Sequence, residues 1–210
     1  MNTSHSYFIT GIGTEVGKTV VACLFTQLLK AAYWKPIQSG DLDNSDSQQI
    51  QNLAEQVSEI IPERYRLSVP ASPHESAEKD NVKIKLEEFV VPNTKHSLIV
   101  EGAGGLFVPI NEEHFIIDII EKVQLPIILV VRDYLGCINH TMLSIKALEN
   151  KGIPVHILVF NGEFNPATKA IIEKHLPANT QIIQIPTLKE VNRITITTIA
   201  KELSTQLKLN

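Results

Sequence analysis

Short apolar runs alternate with longer helical periods along the whole chain. The first run, 7–10, is predicted as a strand, and a glycine-rich turn leads from it into a helix over 18–32. Val20, Val21, Leu24, Phe25, Leu28 and Leu29 surround that helix, the pattern of one covered on both sides. Residues 33–37 form a very short strand, and polar 38–44 a loop. Asn44-Ser45-Asp46 signals a helix start, with Ile50, Leu53, Ala54, Val57 and Ile60 behind it at helical spacing. The stretch 62–81 carries Pro62, Pro70 and Pro73, shows no period, and reads as a loop with a short helical turn. Residues 84–91 read as a helix. Strand 97–100 ends in Glu101 and is followed by Gly102-Ala103-Gly104-Gly105; 115–123 is helical and 127–131 is a strand apolar at every position. A helix runs from Gly136 to about Asn150, stopped by Gly152, and strand 155–160 ends at Asn161-Gly162. Helix 166–175, strand 181–185, Pro186 and helix 189–207 finish the chain. Fully apolar strands separated by helices predict an α/β fold: a doubly wound, mostly parallel sheet with helices on both faces, in one domain over 1–210.

Composition narrows the partners. A net charge of −4 offers no basic surface for nucleic acid or anionic membranes. No apolar run approaches the roughly 18–20 residues of a membrane helix. The polar start Met1-Asn2-Thr3-Ser4-His5-Ser6 is not a signal peptide. The two cysteines, Cys23 and Cys137, form no CxxC pair, which fits a reducing cytoplasm.

The turn after the first strand carries the chemistry. Gly11-Ile12-Gly13-Thr14-Glu15-Val16-Gly17-Lys18-Thr19 has the strand–glycine loop–helix layout that cradles phosphate. Backbone N–H groups and a helix N-terminus face the anion, Lys18 adds charge, and Thr19 offers a hydroxyl to Mg²⁺. The spacing is unusual: five residues separate Gly11 from Gly17 and three separate Gly13 from it, where four are ordinary. Ligands of such sheets bind at the carboxyl ends of the strands. Glu101 stands there at the end of an apolar run, where a charge must be paired or bind metal unless the strand end is solvated. Asp46 reads either as a helix cap or as a metal ligand, and Thr19, Asp46 and Glu101 together offer suitable oxygens for Mg²⁺. Lys35 is either a surface lysine or a second cation placed to stabilise developing negative charge. Ser39 follows in the next turn and reads equally as a turn residue. The seven histidines show no metal-ligand spacing, His74 reads as structural or functional, and Cys137 reads as a small buried side chain.

Together these segments resemble the dethiobiotin synthetase family, ATP-dependent enzymes of biotin biosynthesis. Thr14 to Thr19 matches that family's modified phosphate loop, including the glycine spacing. Lys35-Pro36-Ile37-Gln38-Ser39-Gly40, Asn44-Ser45-Asp46, Val100-Glu101-Gly102-Ala103-Gly104-Gly105 and Leu135-Gly136-Cys137-Ile138-Asn139-His140 match further blocks in family order. Beyond about residue 161 only Asn161 and Ile185-Pro186-Thr187-Leu188 look familiar. The resemblance implies a phosphate-loop, three-layer fold and a reaction joining CO₂ to 7,8-diaminononanoate at the expense of ATP. It implies that Lys18, Lys35 and Thr14 are catalytic and that Ser39 contacts the diamine. Gly136, Cys137, Ile138 and Asn139 would receive the distant carboxylate from a second subunit, making a homodimer necessary. It further implies nucleotide binding by Gly13, Glu15, Val16, Gly17, Lys18, Thr19, Val20, Asp46, Glu101, Gly102, Ala103, Gly104, Asn161, Gly162, Ile185, Pro186 and Thr187, with Mg²⁺ on Thr19, Asp46 and Glu101.

Rival readings fit less well. Partition-type switch ATPases place a signature lysine early in the glycine loop, where Ile12 and Thr14 stand here. An amide-forming ligase of cobalamin synthesis is another rival from the same superfamily. A GTPase switch needs Asn-Lys-x-Asp, whereas Asn161 precedes Gly162-Glu163-Phe164. A small-molecule kinase needs an arginine-rich lid, and the four arginines, at 64, 66, 132 and 193, are scattered. The connection between the first helix and Lys35 is shorter than in the resembled family, which bears on whether Lys35 reaches the loop.

Overall fold

The computed structural model describes residues 5–207. Seven parallel strands form the central sheet: β1 (Tyr7–Gly11), β2 (Ala32–Trp34), β4 (Glu59–Ile61), β6 (Leu98–Gly105), β7 (Ile127–Val131), β8 (Val155–Asn161) and β9 (Gln181–Ile185). Their spatial order is β4-β2-β6-β1-β7-β8-β9, with every neighbouring pair parallel. All five residues of β1 and of β7 are buried, so both faces of the sheet are covered, as the apolar runs require. Helix α1 (Lys18–Leu29) lies against α2 (Asp46–Leu53) and α7 (Arg193–Leu203), while α5 (Cys137–Asn150) packs on α6 (Pro166–Lys174). Helix α4 (Ile116–Val123) packs against β6. A two-stranded sheet pairs β3 (Ile37–Ser39) with β5 (Tyr65–Leu67), and α3 (Pro73–Lys79) packs on both of its strands.

Several expected boundaries move, each for a local reason. Helix α1 stops at Leu29 because Lys30 takes a left-handed cap conformation (φ 50°), and the buried alanines that follow enter β2. The predicted strand over 33–37 splits in two. Pro36 has no N–H to give a ladder, so β2 ends before it and β3 begins after it in the small sheet. Gln38 and Ser39 thus lie on a strand, and the loop expected over 38–44 shrinks around a 3₁₀ turn at Leu42–Asn44. Helix α2 ends at Leu53; Val57 and Ile60 keep a helical interval by coincidence, and Ile60 sits on the edge strand β4. The unpatterned 62–81 holds β5 and α3, elements too short to show a period. The helix expected over 84–91 is only a 3₁₀ turn at Leu86–Glu88. Strand β6 continues past Val100 through Glu101 and the glycines, and the last helix spans Arg193–Leu203 rather than 189–207. The reading of the polar start falls largely on Met1–Ser4, outside the described residues. Among the described residues no helix is long and apolar enough to cross a membrane.

Candidate active site

The loop between β1 and α1 lies at the carboxyl end of the sheet and is shaped by backbone geometry. Gly17 caps α1 at φ 89°, and Glu15 is also left-handed at φ 58°. A Cβ on Gly17 would lie 2.1 Å from Asn161 Nδ2, so only glycine fits there. Asn161, at the end of β8, donates to the Val16 carbonyl at 2.8 Å, and Ile12 N–H donates to Val130 O at 3.1 Å. Lys18 Nζ folds back over the loop and donates to Gly13 O at 2.9 Å. Burial, with neighbouring Lys35 second, lowers its pKa to about 8.

Beside the loop, strand register assembles a charged cluster. Tyr33 and Trp34 of β2 stand opposite Ile99 and Val100 of β6, so the next residues, Lys35 and Glu101, arrive together at the carboxyl ends. The short connection before Lys35 therefore does not keep it from the site. Lys35 is buried, with Nζ 3.0 Å from Glu101 Oε1, 2.5 Å from Asp46 Oδ2 and 3.4 Å from Gly102 O. Burial works against its charge, but Glu101 and Asp46 outweigh it and hold the pKa above the ordinary lysine value. The reading of Lys35 as a surface lysine and that of Glu101 as a solvated strand end both fall; Glu101 is only 1% exposed. Asp46 is not the cap of α2 either. Ser45 takes that role in a capping box with Gln48, leaving Asp46 at the first helical position to face Lys35. Thr19 Oγ1 lies 2.9 Å from Glu101 Oε1 and 3.1 Å from Asp46 Oδ1.

Two residues the sequence did not single out complete this cluster. Tyr33 is fully buried and donates to Glu101 Oε2 at 2.7 Å, fixing the oxygen that Lys35 and Thr19 do not use. The signal was available: Tyr33 and Lys35 are two apart on an extended segment and share a face. Gln38 accepts from Asp46 N–H at 3.2 Å and donates to Gly40 O at 3.0 Å, tying β3 to α2.

The remaining expected residues fall in three places. Gly13 and Thr14 meet Gly104 and Gly105 where the loop touches β6, while Ala103 of that strand is partly buried against the core. There a Cβ on Gly104 would lie 3.6 Å from Thr14 Oγ1, and one on Gly105 3.5 Å from Gly13 Cα. The Ser39 hydroxyl is buried with no hydrogen-bond partner among the described residues. On the other side of the loop a cleft of roughly 340 Å³ is lined by Gly17, Val20, Asn161, Gly162 and Thr187, with Arg132 and Leu188 among its other walls. Pro186 is exposed beside it. Ile185 is wholly buried and contributes its carbonyl, which accepts from Gly162 N–H at 2.9 Å, rather than its side chain. Gly136 (φ 105°) caps α5; Cys137 is buried while Gly136, Ile138 and Asn139 are exposed, and this segment makes no hydrogen bond to the Lys35 cluster. Next to it Tyr134 OH and His140 Nδ1 are 2.7 Å apart. The His74 ring lies 2.9 Å from Ser72 Oγ at the start of α3.

A family model described as an AAA domain matches residues 5–195. The ATP-dependent dethiobiotin synthetase BioD of Christiangramia forsetii is 49% identical over 170 residues, 80% of this chain and 82% of that protein. The chain belongs to the dethiobiotin synthetase family. The enzyme of the same name from Paramagnetospirillum magneticum is 40% identical over 90% of this chain and 91% of its own, and that of Brucella ovis 42% over 88% and 87%. Among solved structures, a ParA family ATPase from Chlorobium tepidum aligns with TM-score 0.56 at 15% identity, covering 94% of this chain and 99% of its own. A putative plasmid partition protein from Borrelia burgdorferi aligns equally well at 12% identity, covering 99% and 93%. These two share the phosphate-loop fold. The family assignment rests on the sequence relatives, and the residues matched by the family model, 5–195, include both the loop and the Lys35 cluster.

For a member of the dethiobiotin synthetase family the oxygen donors matter most. Thr19, Asp46 and Glu101 converge from three elements and supply one hydroxyl and two carboxylates, the hard-oxygen set that Mg²⁺ accepts when phosphates complete its shell. Among the described residues no group of three His, Cys, Asp or Glu forms a self-sufficient metal cage. This donor set fits a metal that arrives with nucleotide.

Proposed function

We propose that the protein converts 7,8-diaminononanoate, CO₂ and ATP into dethiobiotin, ADP and phosphate, the whole chain acting as one ligase domain. One amine of the substrate is carboxylated to a carbamate, ATP phosphorylates the carbamate, and the second amine displaces phosphate to close the ureido ring. Such chemistry asks the protein mainly to position two anions and neutralise their charge. Lys18, poised over the loop, meets the transferring phosphoryl group, Lys35 meets the carbamate, and Thr14 contacts the diamine end as a third catalytic residue. Mg²⁺, held by Thr19, Asp46 and Glu101 with the nucleotide phosphates, would screen phosphate charge. Ser39, with its unpartnered hydroxyl, contacts the diamine end. The nucleotide base lies in the cleft lined by Asn161, Gly162 and Thr187. Asn161 Nδ2 already serves the loop, so its Oδ1 is the atom left for the base.

The protein works as a homodimer, the start of one protomer's α5 receiving the substrate carboxylate beside its partner's loop. The exposed apolar side chains Phe107, Leu135, Ile138 and Leu143 supply apolar surface for that association. Both cysteines are free and buried, in keeping with a cytoplasmic enzyme.

The convergence of Lys35, Asp46 and Glu101 on the loop, in a chain of this family, carries the reading. The test mixes protein, ATP, Mg²⁺, bicarbonate and 7,8-diaminononanoate and looks for the ureido product by mass spectrometry. Phosphate release that ignores the diamine would favour a switch ATPase instead.

A further inference from the structure

Arg132 is the one arginine near the loop, and the reaction scheme leaves it unused. It follows β7 directly, two residues beyond Val130, whose carbonyl already accepts from Ile12 N–H at the loop entrance. Arg132 Nη1 donates to the Glu15 carbonyl at 3.2 Å. The next carbonyl, that of Val16, is held by Asn161 at 2.8 Å. Two neighbouring strands therefore grip consecutive loop carbonyls from outside.

We propose that Arg132 is a positioning residue that sets the phosphate loop in its nucleotide-accepting shape. It does so by holding the Glu15 carbonyl away from the cradle, so that loop N–H groups face inward. The proposal rests on reading Gly11 to Thr19 as a nucleotide cradle. Glu15 needs such a hold: it sits at φ 58°, where a side chain with a Cβ is disfavoured and the conformation persists only if its surroundings fix it. Arg132 suits the task because it is always charged, carries five N–H donors, and makes no ion pair among the described residues. The adjacent Asp133 does not compete for it, since that carboxylate accepts from Asn165 N–H at 2.7 Å and lies 3.5 Å from Cys137 Sγ. Arg132 is also exposed at the rim of the cleft, so its removal opens no hole in the core.

The experiment compares wild type, Arg132→Ala and Arg132→Lys in three measurements: ATP and ADP affinity by calorimetry, KM for ATP and for the diamine, and hydrogen exchange of 11–19 without nucleotide. Loss of one charge-assisted hydrogen bond predicts dissociation constants for ATP and ADP raised roughly five- to tenfold in Arg132→Ala. The rise falls on KM for ATP, leaves KM for the diamine in place, and is partly restored by lysine. Loop amides exchange faster in the nucleotide-free alanine variant. Unchanged exchange with weakened ATP binding would show that the guanidinium touches nucleotide instead and would overturn the proposal, as would unchanged ATP affinity. Wild-type protein that binds no ATP would overturn the cradle reading itself, a result distinct from either.

Discussion

Replacing Lys35 by alanine tests the charged cluster most directly. Its ammonium lies 2.5 Å from one buried or half-buried carboxylate and 3.0 Å from another. At an effective dielectric near 20, a unit-charge pair at about 3 Å attracts by about 5 kcal/mol before desolvation is set against it. Desolvation offsets most of that while the pair is intact, but deleting one member strands the other. For buried pairs this costs about 3–5 kcal/mol. Glu101 retains Tyr33 and Thr19 as donors, and Asp46 keeps 21% of its side-chain surface in water, which places the expected loss at about 3 kcal/mol, the lower end. A cation brought by the nucleotide would resupply positive charge at the same oxygens. Lys35→Ala is therefore expected to unfold earlier when free and to recover much of the difference with Mg-ATP. Catalysis has no such substitute: a missing electrostatic stabiliser lowers turnover about 10²–10³-fold. The assays are thermal melts with and without Mg-ATP, ATP binding by calorimetry, and diamine-dependent phosphate release. A variant whose turnover and ATP affinity fall by the same factor would refute the assignment and move Lys35 to the nucleotide site.

Two further outcomes follow from the same geometry. The Lys18 pKa near 8 in the free protein lies below the 10.5 of an ordinary lysine, so burial opposes its charged form, and bound phosphate would restore that form. ATP binding should then take up about half a proton at pH 8 and almost none at pH 6.5, with affinity declining as pH rises above 8. Calorimetry in buffers of different ionisation enthalpy measures this, and proton release instead would contradict it. At the other end of the site, Leu135 is fully exposed next to the start of α5. Leu135→Glu should give a monomer by light scattering and cost diamine turnover while sparing ATP binding; a wild-type monomer would rule out the shared site.

Much of this fold was legible because strands buried on both faces advertise themselves as continuous apolar runs. Strand 127–131 stood at its observed place for that reason. The small sheet was not legible. Its strands, Ile37–Ser39 and Tyr65–Leu67, are three residues each, too short for any period to emerge. The same limit hid the end of α2, where Ile60 fell on a helical interval by chance and belongs to an edge strand. Site residues fared better when chemistry marked them: a carboxylate or a lysine amid apolar sequence stands out, whereas Tyr33 and Gln38 look like ordinary strand residues and act only through partners distant in sequence.

The placement of Lys35 shows how a weakness in sequence pattern becomes a device in structure. A strand of three residues followed by proline looks too meagre to aim a side chain. Yet β2 lies between β4 and β6, and pairing on both sides fixes its register. Pro36 then ends the ladder, which sends the chain out of the main sheet just as Lys35 draws level with Glu101. The departing chain forms β3, whose Gln38 grips the backbone of Asp46 at 3.2 Å and brings the second carboxylate to the same ammonium. One proline thus accounts for the break in the sheet, for the outlet that leads into β3, and for the meeting of Lys35 with both acids. A longer, uninterrupted β2 would have continued the ladder past Glu101, and the chain could not have turned to bring Gln38 and Asp46 to the same place.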